Sequence, residues 1–457
     1  MNSTSSRRSK SMACNVVVVL CLLVGLLCFP EYIGYGETKG PFKNWMQVVD
    51  WDGDGDLDVL VSHTRWERVS ISWAGIGIWV NQGEGTFELL RDRGDGSWPF
   101  VGHAAVAGDI DRDGDLDVFT QDFGIHLLVN QGGLQEGETG RYLSSGEINS
   151  PPSYEQGYRD IGGTITLGDL NGDGWLDAFV ASCCYGMDAR QLGHDMTLAP
   201  SISWVWINDS GVMNVQRGHI LPLDDLDGLP IRQVALRDLD GDGDTDVFAA
   251  VGSPTLGTAP SQGGLILLND GAGNLSPYGQ LLGDTDSTSV ALGDVNNDGR
   301  LDALVGTNDE ARLWLNQGNE TGSGGPVFVP AEQSFEAMQT AKERLDAGFS
   351  AAADKLSGLY LPYGSVRIQA VFLSDLDGDG DLDALLARLW GAEVWWNDGH
   401  GEFRRSELRF EYREDTGVAV ADFDGDGDQD IFVGRNENDY QVWLNDGSGG
   451  FTEGILN

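Results

Sequence analysis

Nine residues, Asp50-Trp51-Asp52-Gly53-Asp54-Gly55-Asp56-Leu57-Asp58, return in recognisable form six more times, starting at Asp109, Asp169, Asp238, Asp294, Asp375 and Asp422. Seven copies of one motif in 457 residues confine the fold to an array, because a single unit this small cannot bury its own apolar face and must stack on its neighbours. Each copy follows a short apolar run (Gln47-Val48-Val49, Val290-Ala291-Leu292, Val418-Ala419-Val420) and precedes another (Val59-Leu60-Val61, Val247-Phe248-Ala249, Ile431-Phe432-Val433). Runs of this length and composition between Gly- and Asp-rich punctuation read as β-strands joined by a loop.

Further along, every unit carries a third apolar stretch that ends in Asn, at Asn81, Asn130, Asn208, Asn269, Asn316, Asn397 and Asn445. The Gly-rich residues that follow, as in Asp446-Gly447-Ser448-Gly449-Gly450, make a hairpin into a fourth strand. A four-stranded meander repeated seven times predicts an all-β chain, a seven-bladed β-propeller of four-stranded antiparallel blades, whose radial packing protects the sheet edges. Repeat starts lie 47 residues apart between Asp375 and Asp422 but 81 between Asp294 and Asp375. Variable excess belongs in loops, and the largest contains Phe335, Met338, Leu345, Phe349, Ala352 and Leu356 at three-four spacing. This spacing predicts a helical insertion over about 332–357, between blades 5 and 6. The last blade ends in its own fourth strand, so blades are either contiguous or closed by a crossover from the segment Tyr32 to Pro41.

Arg7, Arg8 and Lys10, then an apolar run from Val16 to Phe29, then Gly34 and Gly36, form the pattern of a secretory signal peptide. The expected organisation is a signal peptide over 1–36 and the propeller over 37–457, with an uncleaved anchor as the alternative. The run is shorter than the roughly 18 residues of a spanning helix, and no later run replaces it. Cys14, Cys21 and Cys28 fall in this leader, which leaves Cys183 and Cys184 as a vicinal disulfide or a pair of thiols. Without a disulfide framework something else must staple the fold.

The formal net charge of -44 argues against nucleic acid backbones and anionic lipid as partners and favours cations. Calcium is a hard ion that takes six to eight oxygens, and carboxylates at alternate positions of a tight loop supply them. The candidate ligands are Asp50, Asp52, Asp54, Asp56 and Asp58 in the first loop and Asp109, Asp111, Asp113, Asp115 and Asp117 in the second. The third offers Asp169, Asn171, Asp173, Trp175 and Asp177, and the fourth Asp238, Asp240, Asp242, Asp244 and Asp246. Asp294, Asn296, Asp298, Arg300 and Asp302 follow in the fifth, then Asp375, Asp377, Asp379, Asp381 and Asp383 in the sixth. The seventh contains Asp422, Asp424, Asp426, Asp428 and Asp430. The seventh position tolerates Trp175 and Arg300, so it must contribute through its backbone. Up to seven Ca2+ ions are expected, one per blade, with loops three and five weakest because Asn171 and Asn296 each replace a carboxylate. An EF-hand would need a bidentate Glu at position twelve, which here is Val61, Thr120, Val180, Ala249, Val305, Leu386 and Val433.

These loops, with the strand that follows and the later Asn-Asp-Gly hairpin, resemble the FG-GAP and VCBS repeats of integrin-type calcium-binding propellers. The resemblance covers almost all of the chain after the leader. It implies that the calcium loops join the first and second strands of each blade. The sequence departs from the integrin form in lacking a clear Gly-Ala-Pro after the second strand, and it has neither leg domains nor a C-terminal membrane helix.

The family arrangement implies that the second-to-third-strand connections share the face opposite the calcium loops. The first of these contains His63, Arg65, Trp66, Arg68 and Trp73, and the third Tyr185, Asp188 and Arg190. Aromatics beside arginines and carboxylates suit sugars or a protein hot spot, although Trp66 and Trp73 can equally pack their own loop. Blades five to seven offer Asn308, Asp309, Arg388, Trp390, Arg435, Asn436 and Tyr440 near a central mouth. The expectation is a secreted or cell-surface, non-catalytic recognition or adhesion module for extracellular glycan or protein, periplasmic or on the outer surface if bacterial. The alternatives are a secreted polysaccharide lyase or hydrolase using His63 or His194, and an acidic structural protein of the cell surface. No spacing assembles a nucleophile motif, a phosphate loop or a zinc site.

Overall fold

A computed structural model describes residues 45–67, 70–83, 85–90, 104–121, 125–130, 142–148, 164–181, 203–208, 219–222, 229–252, 263–283, 285–308, 310–318, 325–336, 368–388, 391–411, 417–434 and 440–454. These residues form seven four-stranded antiparallel sheets, each built from four strands consecutive in the chain and paired in chain order. The first blade is Trp45–Val49, Asp58–Glu67, Ser70–Asn81 and Phe87–Leu90; the last is Gly417–Ala421, Asp430–Gly434, Tyr440–Asn445 and Phe451–Glu453. Blades are therefore contiguous. The segment Tyr32 to Pro41 lies outside the described residues, as does the expected signal peptide.

The first strands, Trp45–Val49, Ala104–Gly108, Thr164–Gly168, Ile231–Arg237, Ser287–Gly293, Ile368–Ser374 and Gly417–Ala421, touch one another in succession, and the last touches the first. The ring closes by blade 7 packing on blade 1. Alternation along a strand explains how. In blade 1, Leu60 and Ile78 join Val118 and Leu128 of blade 2 in one core. Val59, Val61, Trp79 and Phe87 point the other way and pack on Phe423, Phe432 and Tyr440 of blade 7. Every second strand is thus covered on both faces, which is why it reads as an unbroken apolar run. Trp79 and Tyr440 meet at a 59° tilt with ring centroids 4.1 Å apart, and Phe87 meets Phe432 edge-on at 5.2 Å. Truncating a fully buried ring such as Phe432 costs about 3 to 5 kcal/mol.

Two expectations require correction. The helix expected over 332–357 does not begin at 332: residues through 336 belong to the fourth strand of blade 5, Phe328–Glu336. Phe335 is fully buried against Trp395 and Phe403, so its apolar character serves the core between blades 5 and 6. No helix occurs among the described residues, and 337–357 lie outside them. The second correction concerns blade 1, where the expected loop around His63, Arg65 and Trp66 is strand. Asp58–Glu67 and Ser70–Asn81 form one long hairpin with Thr64 opposite Ala74 and Trp66 opposite Ile71. Among the described residues the first strand pairs as far as Ser62 and the fourth from Ile78. Beyond these points the described residues of the hairpin pair with each other as a two-stranded ribbon.

Candidate metal centre

In each blade the Asp-rich loop starts one residue after the first strand, and the second strand begins on the ninth loop residue. The loop is folded by its own carboxylates. In the first copy Asp50 accepts the N–H groups of Gly53 at 2.9 Å and Gly55 at 3.2 Å, and Asp54 accepts that of Asp56 at 2.9 Å. The seventh copy repeats this with Asp422 on Gly425 and Gly427 and Asp426 on Asp428. The fourth position sits at positive φ in every loop. It is glycine except at Arg112 and Asn297, both at φ 58°, where the side chains reach the next blade.

The ninth residue is the anchor. Asp58 is fully buried, and its two oxygens accept the backbone N–H of Trp51 and of Asn81, each at 2.6 Å. Asp117, Asp177, Asp246, Asp302, Asp383 and Asp430 each bond the equivalent pair. Burial pushes the carboxyls of Asp58, Asp117 and Asp383 up to about 7 against the opposing pull of these N–H groups. Asp177, Asp246, Asp302 and Asp430 rise to about 6 for the same reason. Asp52, Asp111, Asp240, Asp377 and Asp424, at the third position, are also raised, by burial and then by the charge of the Asp two residues on. Carboxylates crowded this way are at ease only beside a cation.

The loop brings positions one, three and nine together. Asp50, Asp52 and Asp58 each place an oxygen within 4.8 Å of the others, as do Asp109, Asp111 and Asp117; Asp238, Asp240 and Asp246; Asp375, Asp377 and Asp383; and Asp422, Asp424 and Asp430. The residues fit a metal ion on a further observation: Oδ1 of Asp52 is buried and accepts no hydrogen bond. In the third and fifth loops Asn171 and Asn296 take the third position, and their amide oxygens accept the N–H of Asp173 at 3.0 Å and Asp298 at 3.1 Å. The seventh-position side chains turn toward the third-to-fourth-strand hairpin. A Cβ added to Gly271 would come within 2.6 Å of Asp244, and one on Gly318 within 3.0 Å of Arg300. This accounts for the variety at that position, where Trp175 lies 4.4 Å beneath the guanidinium of Arg112.

On the opposite face, His63, Arg65 and Trp66 lie in the second strand of blade 1 and Trp73 in the third. Arg68, Tyr185, Asp188 and Arg190 lie outside the described residues, as do Asp309, Trp390, Arg435 and Asn436. Tyr440 is core, 1% exposed. Arg388 is buried beside Glu393, which also accepts from Arg405 at 2.9 Å and Arg409 at 3.0 Å. Sequence reasoning missed the role of the Asn at the end of each third apolar stretch. It enters there only as the residue that ends the stretch, although its recurrence at one place in seven units was the available signal. Asn208, which opens a glycosylation sequon, is 2% exposed and donates its amide to Ile110 O and Leu176 O. It is therefore no glycan acceptor in the folded chain.

A model of the FG-GAP-like repeat matches residues 50–120, 238–305 and 375–433, and each match includes two of the Asp loops. Three regions of the chain are thus FG-GAP-like repeats. No curated protein matches this FG-GAP-like chain. Among solved structures it resembles an Agrocybe aegerita lectin described in terms of specific recognition of non-reducing terminal N-acetylglucosamine. The identity is 19%, 83% of this chain and 86% of that one are covered, and the TM-score is 0.52. A Lactobacillus plantarum protein aligns at 11% identity over 86% of this chain and 94% of that one, with a TM-score of 0.50. At these identities the likeness establishes the propeller fold and nothing finer.

Proposed function

We propose that this FG-GAP-like propeller is a secreted, calcium-stapled recognition module that binds extracellular glycan or protein without turning it over. The observation that carries the metal part is the set of five Asp triads, each within 4.8 Å. An all-oxygen donor set selects a hard cation, and loops with several flexible carboxylates suit the six to eight ligands of calcium better than the strict octahedron of magnesium. The residues that would hold the ion are those at positions one, three, five and nine, with the carbonyl at seven; the ion would supply charge neutralisation and a rigid turn. Loops three and five would be weaker. Modules of this kind commonly bind at roughly 10⁻⁴ to 10⁻³ M, which extracellular calcium satisfies, so the metal and the secretory leader support one reading. No helix among the described residues is long and apolar enough to cross a membrane.

The ligand face is placed opposite the metal loops, on the ribbon carrying His63, Arg65, Trp66 and Trp73 and on Arg68, Tyr185, Asp188 and Arg190. Aromatic residues and arginines gathered on one hairpin suit the apolar face and hydroxyls of a sugar ring. The lectin on the same fold favours glycan first. A glycan array probed in calcium and in chelator tests this. Binding that is lost in Trp66→Ala, Arg68→Ala, Tyr185→Ala and Arg190→Ala, with the melting curve intact, is the expected result. Unchanged binding in all four variants overturns the assignment of the face, and release of shortened glycan overturns the non-catalytic part.

A further inference from the structure

We propose that the asparagine at the end of the third strand positions the metal loop of the preceding blade, so that calcium binding is coupled between neighbouring blades and the seventh loop latches the ring. The inference rests on the calcium reading above and adds to it a pathway between sites. At the closure, Asn81 of blade 1 donates its side-chain amide to the carbonyl of Phe423 in blade 7 at 2.7 Å, and Gly85 N–H donates to the same oxygen at 3.2 Å. Phe423 is the second residue of the seventh loop, between the candidate ligands Asp422 and Asp424. Its own N–H is held by the third candidate, Asp430, at 2.8 Å. The backbone between two ligands is therefore gripped on one side by the third ligand and on the other by the next blade.

Five more junctions repeat the contact. Asn208 reaches Ile110 O at 3.0 Å, Asn269 Leu170 O at 2.7 Å, Asn316 Leu239 O at 3.3 Å, Asn397 Val295 O at 2.8 Å and Asn445 Leu376 O at 2.9 Å. In every case the acceptor is the second residue of the preceding loop. Because the N–H of each Asn is held by the ninth Asp of its own blade, side-chain amide, loop peptide and aspartate alternate as a hydrogen-bonded belt through blade after blade. These asparagines are at most 7% exposed, where a lost partner is costly and a fixed one orients strongly. A second contact runs between loops: Asn297 of the fifth donates to Asp381 of the sixth at 2.8 Å. An ion drawing positions one, three and nine together fixes the carbonyl that the next blade needs, and by linkage the bound Asn favours the ion equally.

The test is a double-mutant cycle read by the calcium-dependent rise in melting temperature of the full chain. In Asn81→Ala the calcium affinity of the seventh loop, resolved as the part abolished by Asp424→Asn, should fall about three- to tenfold, as expected for one hydrogen bond. The effects of Asn81→Ala and Asp424→Asn on that rise should be non-additive, with a larger coupling than that between Asn81→Ala and Asp52→Asn in its own blade, where the amide also donates to Leu57 O at 3.2 Å. A merely structural amide would lower melting equally with and without calcium. That result, additivity with Asp424→Asn, or a coupling to Asp52→Asn as large as that to Asp424→Asn overturns the proposal and leaves the calcium reading standing. A wild-type chain whose melting ignores calcium overturns both. If Asn81→Ala does not fold, Asn445→Ala with Asp377→Asn, and Asp424→Asn as the own-blade control, asks the same question at an internal junction.

Discussion

The two ends of the first strands are built on opposite principles. At the end that enters the Asp loops, every blade uses a nine-residue turn in which the sixth N–H donates to the first side chain and the seventh to the fifth. The anchoring carboxylate has both oxygens satisfied in all seven copies. At the other end the connections differ from blade to blade. Blade 1 extends its hairpin to Glu67 and Ser70, whereas blade 6 turns between Arg388 and Gly391. Here Asp286 Oδ1, Thr288 Oγ1, Ser289 Oγ and Gln369 Oε1 are buried and make no hydrogen bond among the described residues. An end whose anchoring carboxylates are held alike in every blade is a staple, and one whose connections differ is free to vary with a ligand.

The sharpest way to break this contrast is to remove calcium. Each independent site contributes about 2.7 kcal/mol at a hundred times its dissociation constant, so chelation should lower the calorimetric melting temperature more than any single substitution. Magnesium should restore it poorly. A melting curve indifferent to chelator in metal-free protein would abolish the distinction between the two ends.

A substitution away from the loops should behave differently. Glu393 is buried beneath Arg388, Arg405 and Arg409, and Glu393→Gln leaves those cations without their carboxylate. Breaking such a pair costs about 2 to 3 kcal/mol here, since Arg405 and Arg409 are partly open to water. Denaturant midpoints measured in calcium and in chelator should fall by the same amount. A loss confined to calcium would tie this cluster to the metal end.

Within the loops the effects should be graded. Asp424→Ala removes a carboxylate from a fully acidic triad and should destabilise by about 1 to 2 kcal/mol in calcium. Asn171→Ala, at the equivalent position of a loop already short of a charge, should cost less. Equal losses by thermal melting in calcium would show that the third position does not bind the ion. The smallest effect is expected at the ribbon, where Trp66→Ala should shift stability by no more than about 0.5 kcal/mol while glycan binding is lost. A large shift would make Trp66 a packing residue.

Much of this was legible in the amino-acid order alone. Seven Asp motifs between apolar runs dictate strand, loop and strand, and the third run ending in Asn completes a blade, because period-two burial and turn chemistry are local. The absence of Glu at position twelve sets the loops apart from an EF-hand for the same reason. Phe335 shows where such reading stops. Its spacing with Met338 and Leu345 fits a helix, yet its partners Trp395 and Phe403 lie some sixty residues away, and only the packing of blade 6 on blade 5 makes it a strand residue. The ribbon of blade 1 is likewise a matter of pairing between strands, invisible in either strand alone. The asparagines carry the clearest division. Their recurrence is written in the chain, but what they bind is a carbonyl in another blade, up to 342 residues distant for Asn81 and Phe423. Composition and periodicity therefore determined the blade and its loop, since both are settled by neighbours in sequence. The tertiary structure alone decided how the blades hold one another, because that depends on which backbone groups the closed ring brings within hydrogen-bonding distance.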